Sequence, residues 1–573
     1  MRGEARHATG SVRPVGAGSR GVRALVALAA VLAATLAGCA GIPTGGPVVA
    51  GPEVGLAEPD FAFSPSGPQA DASPRDLLAG FMLAVRAPQA DFQVAREFLT
   101  RTFAKEWDPD AGTLVRSGTA TTAEALTSDT ASRVDYTFNT VADIDDRGRY
   151  REVVESSRTL SFAFVREDGQ WRISAAPPGI VLSQAAFSQA FTESPLYFLD
   201  PSGRFLVPDV RWFAARTTTP NRVVEELLAG PTDWLQRVVF SDFPAGTTLG
   251  AQGVEVRSGR AVVDLSAEAG AATPQARAAM HAQLAATLGV GAVEMTAEGV
   301  PLAVPDGSPA PVVDPQPSGT VLVGTGGAFG FGTDEGVVEI EVVSPAIVAD
   351  GGTAATLTHD QTGAAYLGAD GAVRYIAIGD EAPAVLDERE GLVAPGLDPF
   401  GFVWSAERSA GGALLAISLS GTATPLVPDS LSADTVIQSI TVSRDGARLL
   451  VTASSATGSR VLVYGIVRAD GVPTQLTGPL ELLPPAGAII DAAWVDDQSV
   501  VVLAGAGSPR AVVVPLGGPS VDLGVVVGAT EVVGGRGRAT GIRVLADGHV
   551  FAPTSGRGWN DTGITARFLG TQQ

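Results

Sequence analysis

From about residue 315 to residue 573 the chain keeps returning to one short phrase. Val-rich runs of four to six residues alternate with Gly/Asp turns such as "GTDEG", "GADGAV" and "LADGHVFA". Larger landmarks recur about every 45 residues: "GLDPFGFVWSAE" with Trp404, "TVSRDGARLLVTAS" around Arg448, "DAAWVDDQSVVVLAG" with Trp494, and "IRVLADGHVFAPTSGRGW" near residue 548. No single strand in such a repeat can bury its apolar face alone, and the period matches a four-stranded unit that stacks on copies of itself. The segment is therefore expected to form an all-β propeller of five or six blades over residues 315–573, with a pair of β-sandwiches as the alternative.

Upstream the grammar is mixed. "SPRDLLAGFMLAV" sets Ser73 as a helix cap, Pro74 at the first helical position and Asp76 close behind, with Leu77, Leu78, Phe81, Met82 and Val85 on one stripe. A second helix is expected over residues 91–107. Alternating strands follow at Val134, Tyr136 and Phe138, then Leu160, Phe162 and Phe164, then Trp171 and Ile173. Helices followed by an antiparallel sheet resemble the NTF2-like α+β cone, assigned to residues 73–190. Residues 194–304 repeat a strand-and-helix alternation. A hairpin turns at Pro201-Ser202-Gly203, and a helix opens at Thr219-Pro220 and stops at Gly230-Pro231. A second hairpin crosses Ser258-Gly259 with Val254 and Val256 facing Val262 and either Asp264 or Leu265, and a second helix runs from Thr273-Pro274 to Gly289 with Met280, Leu284 and Leu288 inward.

The chain has a single cysteine, Cys39, so no internal disulfide can help any of these domains. A lone thiol is a buried neutral group, a nucleophile, an intermolecular bridge or a site of modification, and its flanks select the last. Five arginines and one acid precede "ALVALAAVLAATLAG", residues 24–38, an uncharged run of secretory length and too short to span a bilayer comfortably. The junction Leu36-Ala37-Gly38-Cys39 resembles the bacterial lipobox. That resemblance implies cleavage between Gly38 and Cys39 and makes Cys39 the bearer of S-diacylglycerol and N-acyl groups. Residues 1–38 are thus expected to be a lipoprotein signal peptide, and the Gly/Pro-rich residues 39–72 a linker. The expected location is the extracytoplasmic face of the plasma membrane, held by acyl chains.

Without its signal segment the chain is four charges more negative than the −22 of the whole. Such a balance disfavours nucleic acid as a partner. A search for reaction chemistry finds nothing assembled. His281, His359 and His549 lack zinc spacing, and there is no H-E-x-x-H or G-x-S-x-G motif. "GTGGAFGFG" fails as a dinucleotide fingerprint because Phe329 takes the last glycine position. "DIDDRG", Asp143 to Gly148, imitates a calcium loop, but Arg147 stands where a ligand belongs and Val154 where the closing Glu should be, so it reads as a hairpin turn. No catalytic residue, metal or cofactor is expected.

The segments "VVEELLAGP" (223–231), "AVVDLS" (261–266) and "AQLAATL" (282–288) are similar to the GerMN domain of germination and sporulation proteins. With the lipobox before it and the repeats after it, the chain resembles the actinobacterial LpqB lipoproteins. That resemblance implies a non-enzymatic regulator that binds the extracellular domain of the MtrB histidine kinase and so influences the MtrAB system of cell-wall homeostasis and division. Two alternatives stand beside it. One is a lipoprotein that binds cell-wall glycans or peptides through the cone, the propeller channel, or Trp404, Trp494 and Trp559, although blade packing suits the first two tryptophans better. The other is an extracellular hydrolase using carboxylates on the propeller.

Overall fold

The computed structural model describes residues 64–317, 320–408 and 413–573. Gly38 and Cys39 lie outside these residues, as do the signal peptide and most of the linker.

The first domain begins as its capping residues dictate. Helix α1 (Pro74–Ala84) starts at Ser73, whose hydroxyl accepts the Asp76 amide and donates to the Asp76 carboxylate at 2.7 Å. Leu77, Leu78, Phe81 and Val85 are buried. The single helix expected over 91–107 is instead two pieces, α2 (Gln89–Arg96) and α3 (Phe103–Glu106). Between them the chain pairs with a strand: the Thr100 amide donates to the Ile173 carbonyl at 2.8 Å and the Ile173 amide to Phe98 at 2.9 Å. Backbone groups that a helix would need are spent on the sheet.

That sheet comprises β1 (Thr113–Ser128), β2 (Ala131–Ile144), β3 (Tyr150–Glu167), β4 (Gln170–Ala175) and β5 (Ile180–Ser183), in the order β4-β3-β2-β1-β5. Strand β1 has no counterpart in the sequence reading, because "TLVRSGTATTAEALTS" carries almost no apolar alternation. The helices fill the hollow of the sheet with aromatic rings. Phe81 meets Phe98, Trp107 and Phe162 edge-on, with centroids 5.5–6.5 Å apart.

Helix α4 (Gln184–Ala190) leads into the second domain, which opens with the hairpin β6 (Phe191–Leu199) and β7 (Phe205–Ala214). Helix α5 (Thr219–Ala229) follows, capped one residue earlier than expected because the Thr219 hydroxyl is taken by the Arg216 amide and the Ala214 carbonyl. The remaining elements are β8 (Leu249–Arg257), β9 (Arg260–Leu265), α6 (Pro274–Leu288), β10 (Ala292–Ala297), β11 (Val300–Pro301) and β12 (Val312–Val313). Helix α6 has the expected Thr273 cap and a left-handed Gly289 at φ 61°. The second hairpin departs from the expected facing by one residue. The two-residue turn at Ser258-Gly259 sets Arg257 opposite Arg260, so Val254 faces Val263 and Val256 faces Ala261. Ala261, Val263 and Leu265 form the buried face while Val262 is exposed, since a one-residue shift exchanges the two faces of a strand.

The repeats form a six-bladed propeller. Blades 2 to 6 begin with the inner strands Ala354–Leu357, Gly396–Leu397, Val436–Val442, Ile489–Trp494 and Ala529–Val533, each followed by three antiparallel neighbours. Blade 1 takes Leu322–Gly324, Phe329–Thr333 and Gly336–Glu339 from the start of the repeat and its inner strand, Phe568–Gln572, from the end. The ring closure removes the sandwich alternative and sets the count at the upper of the two values expected. Three landmarks, at Asp398, Asp445 and Asp496, occupy the same turn between first and second strands of blades 3, 4 and 5. The fourth, Asp547-Gly548, sits between the second and third strands of blade 6, so the sequence period tracked blades without tracking strands.

Candidate functional site

The residues singled out for chemistry are scattered. His281 is half-buried on α6; His359 Nδ1 lies 3.2 Å from the Gln573 carbonyl at the ring closure; His549 pairs with Asp561 at 3.3 Å on the surface. Among the described residues no group of three or more His, Cys, Asp or Glu is placed to hold a metal ion. Trp404 is fully buried and donates to Asp398 at 3.0 Å, and Trp494 donates to the Thr441 carbonyl at 3.1 Å, so both serve blade packing. A cavity of the cone near Phe81, Leu160 and Phe162 holds about 40 Å³, against roughly 300 Å³ or more for ordinary ligand pockets.

The structure concentrates its polar chemistry in two places that single-sequence reasoning missed. The first is the junction of the domains. Asp145, in the imitation calcium loop, spends its carboxylate on the amides of Arg147 and Arg149, at 3.0 and 2.9 Å. The turn so fixed carries Arg147 into the second domain, where Nε donates to Glu226 at 3.0 Å and the guanidinium reaches the Gly230 carbonyl at 2.9 Å. Glu226, on α5, also receives Arg222 at 2.9 Å. Beneath them the fully buried Arg211 pairs with Asp209 at 2.8 Å and donates to the Arg147 carbonyl at 2.9 Å. Gly148 must be glycine here: its φ is 81°, and a Cβ would press on the Trp212 backbone.

Trp212 then reaches the propeller, its indole donating to the Gly517 carbonyl at 2.6 Å, while Glu152 accepts the Ser520 hydroxyl at 2.5 Å. On the same edge of blade 5 the Tyr197 hydroxyl donates to Asp497 at 3.2 Å, and on blade 4 the Thr477 hydroxyl donates to the Trp234 carbonyl at 2.7 Å. The buried Arg211–Asp209 pair adds little net stability over an apolar contact but fixes one geometry, because slippage leaves a charge unpaired. A cleft of about 290 Å³ lies between the first two domains. Of its two arginines, Arg216 is engaged by Asp110 at 2.6 Å and by Asp91 at 3.5 Å, and Arg222 by Glu226.

The second place is the propeller channel. The inner strands of blades 4, 5 and 6 each carry one extra residue, Gln438, Ile490 and Thr530, that has no partner in the neighbouring strand. Each such bulge re-aims the next side chain. Asp491 accepts the Val532 amide of blade 6 at 2.9 Å, and Glu531 accepts the Leu569 amide of the closing strand at 2.7 Å. These carboxylates stitch one blade to the next from inside the channel. Burial pushes Asp491 up to about 6 and Glu531 up to about 7, the latter helped by the charge of Asp491. At the junction, Asp497 is likewise raised by burial to about 7.

A carboxyl whose folded pKa exceeds its unfolded value favours the folded state while protonated, and that contribution fades as pH rises through the folded value. Melting of the propeller should therefore occur roughly 2–5 °C higher at pH 5.5 than at pH 8. The depressed carboxylates Asp264, Asp360, Asp370 and Asp387 oppose this only once the pH falls below the ordinary carboxylate range. A paired scan of wild type and D491N/E531Q checks the assignment: the double variant should lose most of the difference, and an unchanged difference would refute it.

Comparison with known proteins places these features in a family setting. Residues 67–188 match the family described as "Lipoprotein LpqB, N-terminal domain", residues 195–303 "Sporulation and spore germination", and residues 327–566 "Lipoprotein LpqB beta-propeller domain". A curated Lipoprotein LpqB of Streptomyces coelicolor is 26% identical over 89% of each chain. One of Bifidobacterium longum is 28% identical over 71% of each. One of Cutibacterium acnes is 31% identical over 50% of this chain and 48% of its own. Among the described residues no helix is long and apolar enough to cross a membrane.

Proposed function

Because the chain belongs to the LpqB lipoprotein family, we propose that it is a lipid-anchored, extracytoplasmic docking protein that binds the sensor domain of the MtrB histidine kinase and modulates MtrAB signalling. Its work is binding, without catalysis. The observation that carries the reading is the junction: three domains of different fold are held in one geometry by Arg147, Arg211, Trp212 and Tyr197. A protein that acts by presenting a composite surface needs that fixity, whereas hinged domains would lose it on each encounter.

Cys39 supplies the membrane end of the scheme, and residues 39–72 its reach. Confinement beside the kinase raises the effective concentration, so that an interface too weak for free solution still engages. The full chain, solubilised with its anchor, should capture the purified sensor domain, and deletion of the protein should change the phosphorylated fraction of MtrA. Absence of binding together with unchanged phosphorylation would end the proposal. The alternative of a wall-ligand receptor is weakened at the cone, whose cavity near Phe81 holds about 40 Å³. Binding of peptidoglycan fragments lost in D491N/E531Q would place such a ligand in the channel.

A further inference from the structure

Blade 6 breaks the rule that the other blades keep. In blades 2 to 5 the first and second strands are joined by four or five residues, tied by Asp360, Asp398, Asp445 or Asp496. In blade 6 the connection runs from Gly534 to Ile542, "GGRGRATGI", with no acid in it. It carries Arg536 and Arg538, and Arg543 follows at once. Among the described residues none of these three arginines has a carboxylate within ion-pair distance, although the chain as a whole is strongly acidic and most of its buried arginines are paired. Arg538 feels Glu193 and Asp314 only at longer range.

The backbone of this loop is specified tightly. A Cβ on Gly534 would run into the Trp494 carbonyl, one on Gly535 into Gly541, and one on Gly541 into the Arg536 carbonyl. The glycines let the chain fold over itself where no other residue could. Gly535 and Arg536 donate their amides to no other described residue. Gly534, Gly535, Arg536 and Arg543 wall a cavity of about 130 Å³, floored by Val533 and Gly570. Arg543 is held in place through the Thr540 and Ile542 carbonyls, at 2.8 Å each.

Adjacent free amides in a glycine-built loop, beside a guanidinium with no counter-charge, form an arrangement that accepts a tetrahedral oxyanion. We propose that the blade 6 loop is a binding site for a phosphate group, with Arg536 as its principal cation and Arg538 at its rim. A phosphate here takes the place of the carboxylate that ties the turn in blades 2 to 5, where Asp398 and Asp445 also pair with Arg468 and Arg448. The group can be free phosphate or the phosphodiester of a lipid headgroup, since both present the same oxygens to Arg536.

The test uses the detergent-solubilised full chain. It is titrated with inorganic phosphate, and separately with phosphatidylglycerol or phosphate-free diacylglycerol in mixed micelles, by calorimetry. Saturable one-to-one binding of phosphate is expected, weakened about ten-fold or more in R536Q/R538Q and unchanged in R158Q, which removes an exposed, unpaired arginine on β3. A preference for phosphatidylglycerol over diacylglycerol that the same double variant abolishes identifies a headgroup as the source. Indifference to the lipid, with phosphate still binding, identifies the free ion. Both replaced side chains are exposed, so the variant should melt with wild type. No saturable binding of either probe, or an equal loss in R158Q, would overturn the site.

Discussion

Arg448→Ala should destabilise the protein by about 3–5 kcal/mol, the cost of breaking a buried ion pair from one side. The Arg448 side chain is fully buried and its partner Asp445 almost so. One end of the guanidinium pairs with Asp445, and the other donates to the Asp497 carbonyl at 2.6 Å. Its face lies 4.9 Å from the centre of the Trp494 ring. Asp445 in turn holds the blade 4 turn through the Ala447 amide at 2.9 Å and the Ser443 hydroxyl at 2.5 Å. Asp497 carries the Tyr197 contact to the second domain.

Truncation therefore leaves Asp445 charged in an apolar setting and loosens the seam between blades 4 and 5 and the domain docked on them. Urea unfolding of the full chain measures the effect. Arg448→Lys keeps the charge without the two-ended fork and should fall between wild type and alanine. In R448M/D445N, with both charges removed, much of the loss should return, because the penalty lies in the orphaned charge and not in the missing bond. An alanine variant that unfolds with wild type would show that the pair bears none of this load.

Cys39→Ala should move the protein from the membrane fraction to the soluble fraction almost completely. A single fatty acyl chain holds a protein to a bilayer only marginally, with a partition constant on the order of 10⁴ M⁻¹, and two or more chains make attachment stable. The −22 net charge gives no electrostatic help in replacing them. Among the described residues the first helix begins at Pro74, 35 residues beyond Cys39, so the described domains should melt as in wild type. Fractionation and mass spectrometry of the N-terminal peptide read both halves of the prediction. Retention of the variant in the membrane would remove Cys39 as the anchor and point to a protein partner as the tether.

Capped helices and regular periods were the legible part of the fold. Ser73-Pro74 and Thr273-Pro274 announced α1 and α6 because a cap and a fixed φ act within a few residues of sequence. Illegible elements were those decided by distant chain. Residues 91–107 looked like one helix until Ile173, on another element, claimed the backbone between two pieces. Strand β1 is recruited by β2 and carries no pattern of its own.

The same division holds for function. Asp145 to Arg147 was legible as a turn and as a failed metal loop, yet nothing nearby reveals that Arg147 is aimed at Glu226, 79 residues on. Asp491 and Glu531 stood among 61 acids with no mark upon them. What distinguishes them is a bulge, which exists only once the neighbouring strand is in register.

The inner strand of blade 1 comes from residues 568–572, although its neighbours were made some 240 residues earlier. Until those last residues arrive, Leu322 and Val323 have no inner partner, and Glu531 has no amide to hold. The ring therefore works as an audit of length. A chain lacking residues 568–572 yields an open crescent instead of a slightly smaller wheel, with its two raw strand edges offered to proteases.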